Sequence, residues 1–230
     1  MPDPTRRPGL RALTHQRLTH KGEQTRQRII AAAAQLMLDR GVSATTIEDV
    51  RAAAGVSSSQ VYHYFTDKDA LVRAVIDYQT QAVVGGQEPI LAALDSLQAL
   101  REWRDGVVGH LRRAGCRGGC PLGALGSELA ETDDPARGRL SASFTRWETA
   151  IRGGLRAMHA RGALSTDANP DDLATATLAA LQGGMLLAKI QRTTRPLEIA
   201  LDAMLAHIAA CATPPQPRRG LAEQGSLSTP

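Results

Sequence analysis

Apolar and polar positions recur along most of this chain with the three- and four-residue spacing of amphipathic helices. The first clear stripe is Ile29, Ala33, Leu36 and Met37, which fall on one helical face because they stand at i, i+4, i+7 and i+8. Gly41 comes shortly afterwards, and we expect it to end this helix as a left-handed cap. Runs of alternating β-branched residues, which would indicate strands, are missing from the sequence.

Three capping boxes follow in quick succession, and each predicts the start of a helix. They pair a hydroxyl residue with an acid or amide three positions later: Thr46 with Asp49, Ser57 with Gln60, and Thr66 with Asp69. Starts this close together leave room for two helices of about two turns before a longer third one. Gly55 supplies the permissive backbone of a tight turn between the short helices. The stretch therefore predicts a helix-turn-helix packed on the first helix.

Amphipathic stripes continue through the second half of the chain. Proline, alone or next to an N-cap residue, opens these segments at Pro89, Asp134-Pro135, Asn169-Pro170 and Pro196. Small residues such as Ala176, Ala180 and Gly184 would let another helix approach the penultimate one closely, so we expect the last two helices to pair subunits in a homodimer.

The prediction is an all-α fold of about nine helices. An N-terminal tri-helical helix-turn-helix domain should precede a C-terminal helical domain that carries the dimerisation helices. The predicted boundaries are a flexible basic arm at 1–22 with order beginning near Thr25, the helix-turn-helix domain at 23–80, the second helical domain at 81–212, and a disordered tail at 213–230.

Composition narrows the class of protein further. Aromatic residues make up 3% and net charge is +4, but the positive excess lies in the first 28 residues, where a polyanion partner or a solvated tail would explain it. The chain has three cysteines, an odd number and too few for a disulfide scaffold. The sequence contains neither 18 consecutive apolar residues nor a signal-peptide pattern, so we expect a cytoplasmic protein without a membrane partner.

The second short helix carries the candidate DNA-reading surface. Ser57, Ser58, Ser59 and Gln60 form its first turn, where a helix inserted into the major groove meets base edges. Candidate partners of the groove and of the phosphates complete the set: Thr46, Tyr62, His63, Tyr64 and Lys68. The alternative is that the serines are ordinary caps and the tyrosines cover the core.

These positions resemble the DNA-binding domain of the TetR family. The resemblance covers about residues 24 to 72 and rests on Thr25-Arg26, Ile29-Ile30, Gly41-Val42, Thr45-Thr46-Ile47, Asp49-Val50, Ala53 to Ser57, Tyr62-His63-Tyr64-Phe65 and Lys68 to Leu71. It implies that Ser58, Ser59, Gln60 and His63 lie in the groove, with Thr46, Tyr62, Tyr64 and Lys68 on phosphates. It also implies a dimer on a palindromic operator and repression relieved by a small ligand.

The segment Gly119 to Leu125, followed by Glu128, is similar to a motif in a TetR subgroup of efflux-linked drug and electrophile sensors. Cys120 in this motif has three interpretations: packing, lining a pocket, or a reactive thiol sensor. The residues expected to line an apolar or aromatic effector pocket are Trp103, His110, Cys120, Phe144, Trp147 and Met158.

Other chemistry finds little support. His110, Cys116 and Cys120 have a tolerable spacing for a metal, but a fourth ligand is not visible nearby, so we predict neither metal nor cofactor. A catalytic triad order, a glycine-rich phosphate loop and a paired-carboxylate motif are missing, which argues against an enzyme. A helix-turn-helix adaptor that binds protein instead of DNA is the remaining alternative class.

Overall fold

The computed structural model describes residues 19–213, which form helices joined by short turns. Most of the predicted N-terminal arm and all but the first residue of the predicted tail therefore lie outside the described residues. The helices are α1 (His20–Arg40), α2 (Ile47–Ala54), α3 (Ser58–Tyr64), α4 (Lys68–Val83), α5 (Glu88–Leu91), α6 (Leu97–Arg113), α7 (Pro121–Leu129), α8 (Asp134–Ala160), α9 (Pro170–Gln191) and α10 (Arg195–Ala210), with a 3₁₀ turn at Gly85–Gln87.

The all-α prediction is confirmed for this part of the chain. Its only β-type pairing is an isolated bridge between Leu164 and Ala212. Within residues 19–213, nine helices are longer than the single turn of α5, which agrees with the expected number. Two compact units divide between Val75 and Ile76, inside α4, five residues before the boundary expected at residue 80.

In the first unit, α1 begins at His20, earlier than the predicted start near Thr25. Thr19 caps it, because its side chain accepts a hydrogen bond from the Gly22 amide at 3.2 Å. This first stretch carries no apolar stripe, so hydrophobic periodicity could not detect it. Gly41 ends the helix with φ +89° and ψ 163°, which is a positive-φ cap but not the left-handed helical conformation expected.

The first two capping boxes are confirmed. Thr46 and Asp49 bond reciprocally at the start of α2, and Ser57 and Gln60 do so at the start of α3. Gly55 joins the helices with φ +63° and ψ 45°, the left-handed region that a glycine occupies without a Cβ clash. The unit closes on a buried apolar core: Ile29, Ile30, Ala33, Met37, Val50, Val61, Phe65, Leu71 and Val72.

The prediction of a third capping box, between Thr66 and Asp69, is wrong. Asp67, not Thr66, caps α4, because an Asp67 carboxylate oxygen accepts the Ala70 amide hydrogen bond at 2.6 Å while the Thr66 hydroxyl bonds to the other Asp67 oxygen. These hydrogen bonds, the one from Ala70 first, lower the pKa of Asp67 below its usual value. An acidic residue one position later competes successfully with threonine, since both are good N-caps.

Replacing Asp67 with alanine should lower the melting temperature by about 2 to 4 °C, as loss of an N-cap does in a chain of this size. Because the pKa of Asp67 is lower in the folded protein than in the unfolded chain, where it is about 3.9, the ionised cap stabilises the fold fully above that value. This stabilisation is lost as the pH falls through the lower pKa of the folded state. Thermal melts at pH 7 and pH 3 measure both effects. The control Asp69→Ala should change the melting temperature less, and equal losses in the two variants would reject the assignment of the cap.

The second unit is built on long helices in close contact: α9 packs on α8 and α10, α10 packs on α6, and α7 packs on α8. The N-cap of α8 is Asp133 and not Asp134, the residue predicted from the sequence. The Asp133 side chain accepts a hydrogen bond from the Ala136 amide at 2.9 Å, so the helix begins one residue earlier than expected. Asn169 caps α9 as predicted. Ion pairs of Arg104 with Asp202 and Arg112 with Glu198, each at 2.9 Å, join α6 to α10.

One helix, α9, is long and apolar enough to cross a membrane when judged by length and composition alone. Eight of its residues are buried, among them Leu173, Leu181 and Ala188, and it packs between α8 and α10. Core helices of globular domains often have the same composition.

Candidate nucleic-acid interface and effector face

Helix α3 packs against the core of the first unit through its C-terminal half, while its first turn is exposed. Val61 is fully buried and Phe65, the residue after the helix, is 4% exposed, so the two anchor α3 to the tri-helical core. Arg26 of α1 lies over the Phe65 ring, 5.6 Å from its centroid. Ser57, Ser58, Ser59 and Gln60 are all exposed at the N-terminal end. The helix therefore presents a polar first turn to solvent from a rigid base.

The polar groups of this turn already bond to one another. The Gln60 amide oxygen accepts a hydrogen bond from the Ser57 backbone amide at 2.9 Å, and the Ser57 and Ser59 hydroxyl oxygens are 2.9 Å apart. A side chain that pairs with adenine through both amide atoms needs its oxygen free. Gln60 thus serves the cap in this structure, and Ser58 and Ser59 are better placed than Gln60 to change partners on contact with a base.

The rest of the predicted surface continues from α3 into α4. Tyr62 is 56% exposed and His63 is exposed, whereas Tyr64 and Lys68 are half-buried. The rings of His63 and Tyr64 meet edge to face with centroids 4.9 Å apart, which restrains both side chains. An exposed tyrosine hydroxyl and a lysine at a helix start are groups that donate to phosphate oxygens.

Thr46 at the start of α2 is exposed and is engaged with Asp49, whose carboxylate accepts from both the Thr46 amide at 3.0 Å and its hydroxyl at 2.7 Å. These bonds lower the pKa of Asp49. Sequence reasoning missed Thr45, which is 1% exposed and donates its hydroxyl to the Gly41 carbonyl at 2.7 Å. That bond ties the turn before α2 to the end of α1.

Most of the predicted effector residues lie inside the second unit. Trp103 on α6, Trp147 and Met158 on α8, and Cys120 before α7 are buried, and Phe144 on α8 is half-buried. His110 is exposed in the last turn of α6, because the buried face of that helix runs through Val108 and Leu111 instead. His110 is therefore the one predicted effector residue whose side chain is exposed, and its place in a pocket stays a prediction.

Cys120 is the N-cap of α7. Its sulfur accepts the Gly123 amide hydrogen bond at 3.4 Å, and the residue is 8% exposed. Burial raises the pKa of this thiol, outweighing the hydrogen bonds that favour the thiolate. A raised pKa leaves little thiolate near neutral pH, so the structural role is favoured over a reactive sensor. Among residues 19–213 no three His, Cys, Asp or Glu side chains are grouped so as to hold a metal ion.

A thiol reagent should distinguish the cysteines. In the native protein Cys211, which is partly exposed, should react with an aromatic disulfide reagent well before Cys120 and Cys116, which are buried. Mass spectrometry of the labelled peptides over time would establish the order, with a urea-unfolded sample as the control in which all three react. Labelling of native Cys120 ahead of Cys211 would revive the thiol-sensor interpretation.

Two features of the second unit were not foreseen from the sequence. The Trp103 indole donates a hydrogen bond to the Gln87 side-chain oxygen at 3.1 Å. The Trp147 indole nitrogen, by contrast, is sealed from solvent and has no hydrogen-bond partner among residues 19–213. Hydrophobic periodicity places both tryptophans in the core but contains no information on the partners of their N–H groups.

Two short helices joined at a glycine, with an exposed polar first turn on the second, form a helix-turn-helix, the motif with which many regulators enter the major groove, and a separate helical unit follows it. Comparison with known proteins agrees. The model of bacterial regulatory proteins of the tetR family matches residues 29–75, and the tetracyclin repressor-like C-terminal domain matches residues 96–204. The chain belongs to the TetR family of transcriptional regulators.

Similar proteins span most of the chain. Transcriptional regulator AcuR of Cereibacter sphaeroides is 31% identical over 179 residues, covering 74% of this chain and 79% of that protein. HTH-type transcriptional repressor DhaR of Mycobacterium sp. strain GP1 is 26% identical over 175 residues, covering 75% and 86%. The crystal structure of regulatory protein TetR from Rhodobacter sphaeroides superposes with a TM-score of 0.71 at 28% identity, covering 80% of this chain and 98% of that one. A TetR regulator from Chloroflexus aurantiacus gives 0.74 at 29% identity, with 84% and 98% covered.

Proposed function

We propose that this TetR-family regulator is a repressor: a cytoplasmic homodimer that holds a palindromic operator through α3 and releases it when a small apolar or aromatic molecule binds the second unit. The observation that carries the proposal is the exposed polar turn Ser57 to Gln60 on a buried three-helix base. The similarity to a protein named as a repressor supports the direction of control.

In this proposal Ser58, Ser59, Gln60 and His63 meet base edges in the major groove, and Ser57, the N-cap of α3, lies beside them. Phosphate oxygens are bound by Thr46, Tyr62, Tyr64 and Lys68. The phosphate contacts set register and the groove contacts set sequence preference. Because Gln60 holds the α3 cap, sequence preference rests mainly on the two neighbouring serines and His63.

The last two helices supply the surface for dimerisation. Large apolar side chains stand exposed on α9 and α10: Leu186, Leu187, Ile190 and Ile199. Exposed apolar residues grouped on one pair of helices favour burial against a second copy. A two-fold dimer has two α3 helices related by symmetry, which is why a palindrome is the expected operator.

The effector site is proposed for the interior of the second unit, where Trp103, Cys120, Phe144, Trp147 and Met158 supply apolar surface. His110, the sixth predicted residue, is exposed and so contributes no buried surface to the site. Uncharged and aromatic linings bind ligands mostly by burying apolar area.

A mobility-shift titration with DNA flanking the gene of this protein tests the proposal. We expect a specific complex whose affinity falls steeply as salt rises, because Lys and Arg contacts to phosphate release counterions. A panel of uncharged aromatic compounds should contain members that dissociate the complex. A chain that binds no flanking fragment at any salt concentration, but captures a protein partner, would be the adaptor instead.

A further inference from the structure

The indole N–H of Trp147 lacks an acceptor in the part of the chain that the structure describes. The residue is 2% exposed, and its Nε1 atom neither touches solvent nor has a hydrogen-bond partner. Folded proteins rarely leave a buried donor unpaired, because its hydrogen bond to water has been given up without replacement. An acceptor from outside the chain would restore that bond.

The other tryptophan provides an internal comparison. Trp103 is 3% exposed and equally deep, yet its indole donates to Gln87 at 3.1 Å, and Gln87 in turn donates to the Val83 carbonyl at 2.7 Å. The fold thus provides an anchored acceptor for one indole and none for the other. Three other buried side-chain nitrogens of the described residues also lack a partner, Arg104 Nε, Arg152 Nε and Gln182 Nε2, and the Trp147 indole is the aromatic one of the four.

The buried polar side chains of the second unit restrict what that ligand can be. Those described are uncharged: Gln79, Thr80, Ser143 and Thr177. The hydroxyls are used within the chain, since Thr80 bonds to the Ile76 carbonyl and to Ser143, and Thr177 donates to the Leu173 carbonyl. The guanidinium groups of Arg104 and Arg152 are also partly buried in this unit, but each is already paired with two carboxylates, those of Asp105 and Asp202 and those of Glu148 and Asp171. An ionised ligand would therefore find no unpaired buried charge among the described side chains and would lose its hydration without compensation.

Apart from Ser143, whose hydroxyl bonds to the Arg139 carbonyl and to Thr80, the buried α8 face around Trp147 is apolar. Leu140, Ile151, Leu155 and Met158 are buried on the same side of the helix, one to three turns away. A ligand reaching the indole here would bury hydrocarbon or aromatic surface and needs a single acceptor atom.

We propose that Trp147 is the polar anchor of the effector site, and that its effector is a neutral, largely apolar molecule with a carbonyl-type oxygen that accepts the indole hydrogen bond. This inference rests on the proposed function, because it assumes that the second unit binds a small molecule. It adds the chemical class of that molecule and the residue that recognises it.

Three probes with one skeleton test the inference: acetophenone, its isosteric alkene α-methylstyrene, and benzoate. Benzophenone and 1,1-diphenylethylene repeat the neutral comparison at larger size.

Two-dimensional NMR of ¹⁵N-indole-labelled protein shows one cross-peak for each of the two tryptophans, and W103F assigns them. We expect a ketone to move the Trp147 indole proton downfield and to bind about three- to tenfold more tightly than its alkene, the effect of one added hydrogen bond. Benzoate should not compete.

The variant W147F should bind each ketone no better than its alkene, whereas W103F should keep the ratio. If W147F fails to fold, the wild-type comparison of ketone with alkene decides alone. Equal affinity of ketone and alkene, an unmoved Trp147 signal, or no saturable binding by either ketone would overturn the inference and leave a trapped water as the partner of the indole. These readouts need no DNA, so they test the hydrogen bond at Trp147 separately from the proposed function, which fails instead if no compound of the aromatic panel dissociates the operator complex.

Discussion

Replacing Gly154 with alanine should destabilise the protein by about 1 to 3 kcal/mol, the usual cost of inserting a methyl group into a close-packed contact. An added Cβ at Gly154 would overlap the Leu94 carbonyl oxygen and lie 3.0 Å from Leu94 Cβ. The obstacle is backbone, so no side-chain rotation relieves it. At about 2 to 4 °C for each kcal/mol in a chain of this size, the melting temperature reports the loss directly.

The neighbouring Gly153 is the matched control. Nothing lies within 4 Å of a Cβ added there, and the residue is exposed on the same helix. Alanine at Gly153 should therefore stabilise the protein by about 0.5 to 1 kcal/mol through lower backbone entropy in the unfolded chain. Two adjacent glycine-to-alanine changes are thus expected to shift the melting temperature in opposite directions. Equal shifts of the same sign would contradict the close approach of α8 to the turn before α6.

Alanine at Tyr62 or Lys68 should weaken operator binding by a similar factor on every DNA sequence, whereas alanine at Ser58 should alter preference at particular base pairs. Lys68→Ala should also reduce the slope of log affinity against log salt by about one unit, because one phosphate contact is lost. Arg101→Ala, an exposed cation on α6, serves as the control for loss of positive charge far along the chain.

Binding titrations on a set of operators with single base-pair changes separate these effects. A Ser58→Ala variant that loses affinity equally on all of them, or a Tyr62→Ala variant whose loss depends on the base, would reverse the proposed division of roles. Gln60 is unsuitable for this test, because its side chain holds the Ser57 cap and its replacement would disturb α3 itself.

Local signals in the sequence were sufficient for much of the DNA-binding half. The capping boxes at Thr46 and Ser57 and the turn at Gly55 depend on hydrogen bonds between residues three or four apart. Such local interactions can be predicted from the sequence alone. The start of α4 shows the limit of that reasoning, since Thr66 and Asp67 are both competent caps and only the structure shows which one bonds to Ala70. The early start of α1 was missed because a polar helix end has no hydrophobic period.

The effector half depends on contacts between distant parts of the chain. The helical stripe containing Trp103 correctly predicts that it is buried, but its bond to Gln87 depends on how the chain returns after α4. His110 stands seven residues after Trp103, a helical spacing, yet its side chain is exposed in the last turn of α6. The pairing of each buried polar group is a tertiary property, which is why the unpaired Trp147 indole became visible only in the folded chain.

The central claim is that two copies of this chain read a palindrome through α3. Analytical ultracentrifugation of the protein with a full palindrome taken from its footprint, and with a single half-site of equal length, tests it most directly. We expect two chains bound per palindrome and a large loss of affinity on the half-site fragment, both abolished together when α3 carries Tyr62→Ala and Lys68→Ala. One chain per palindrome, or full affinity for the half-site, would contradict the account.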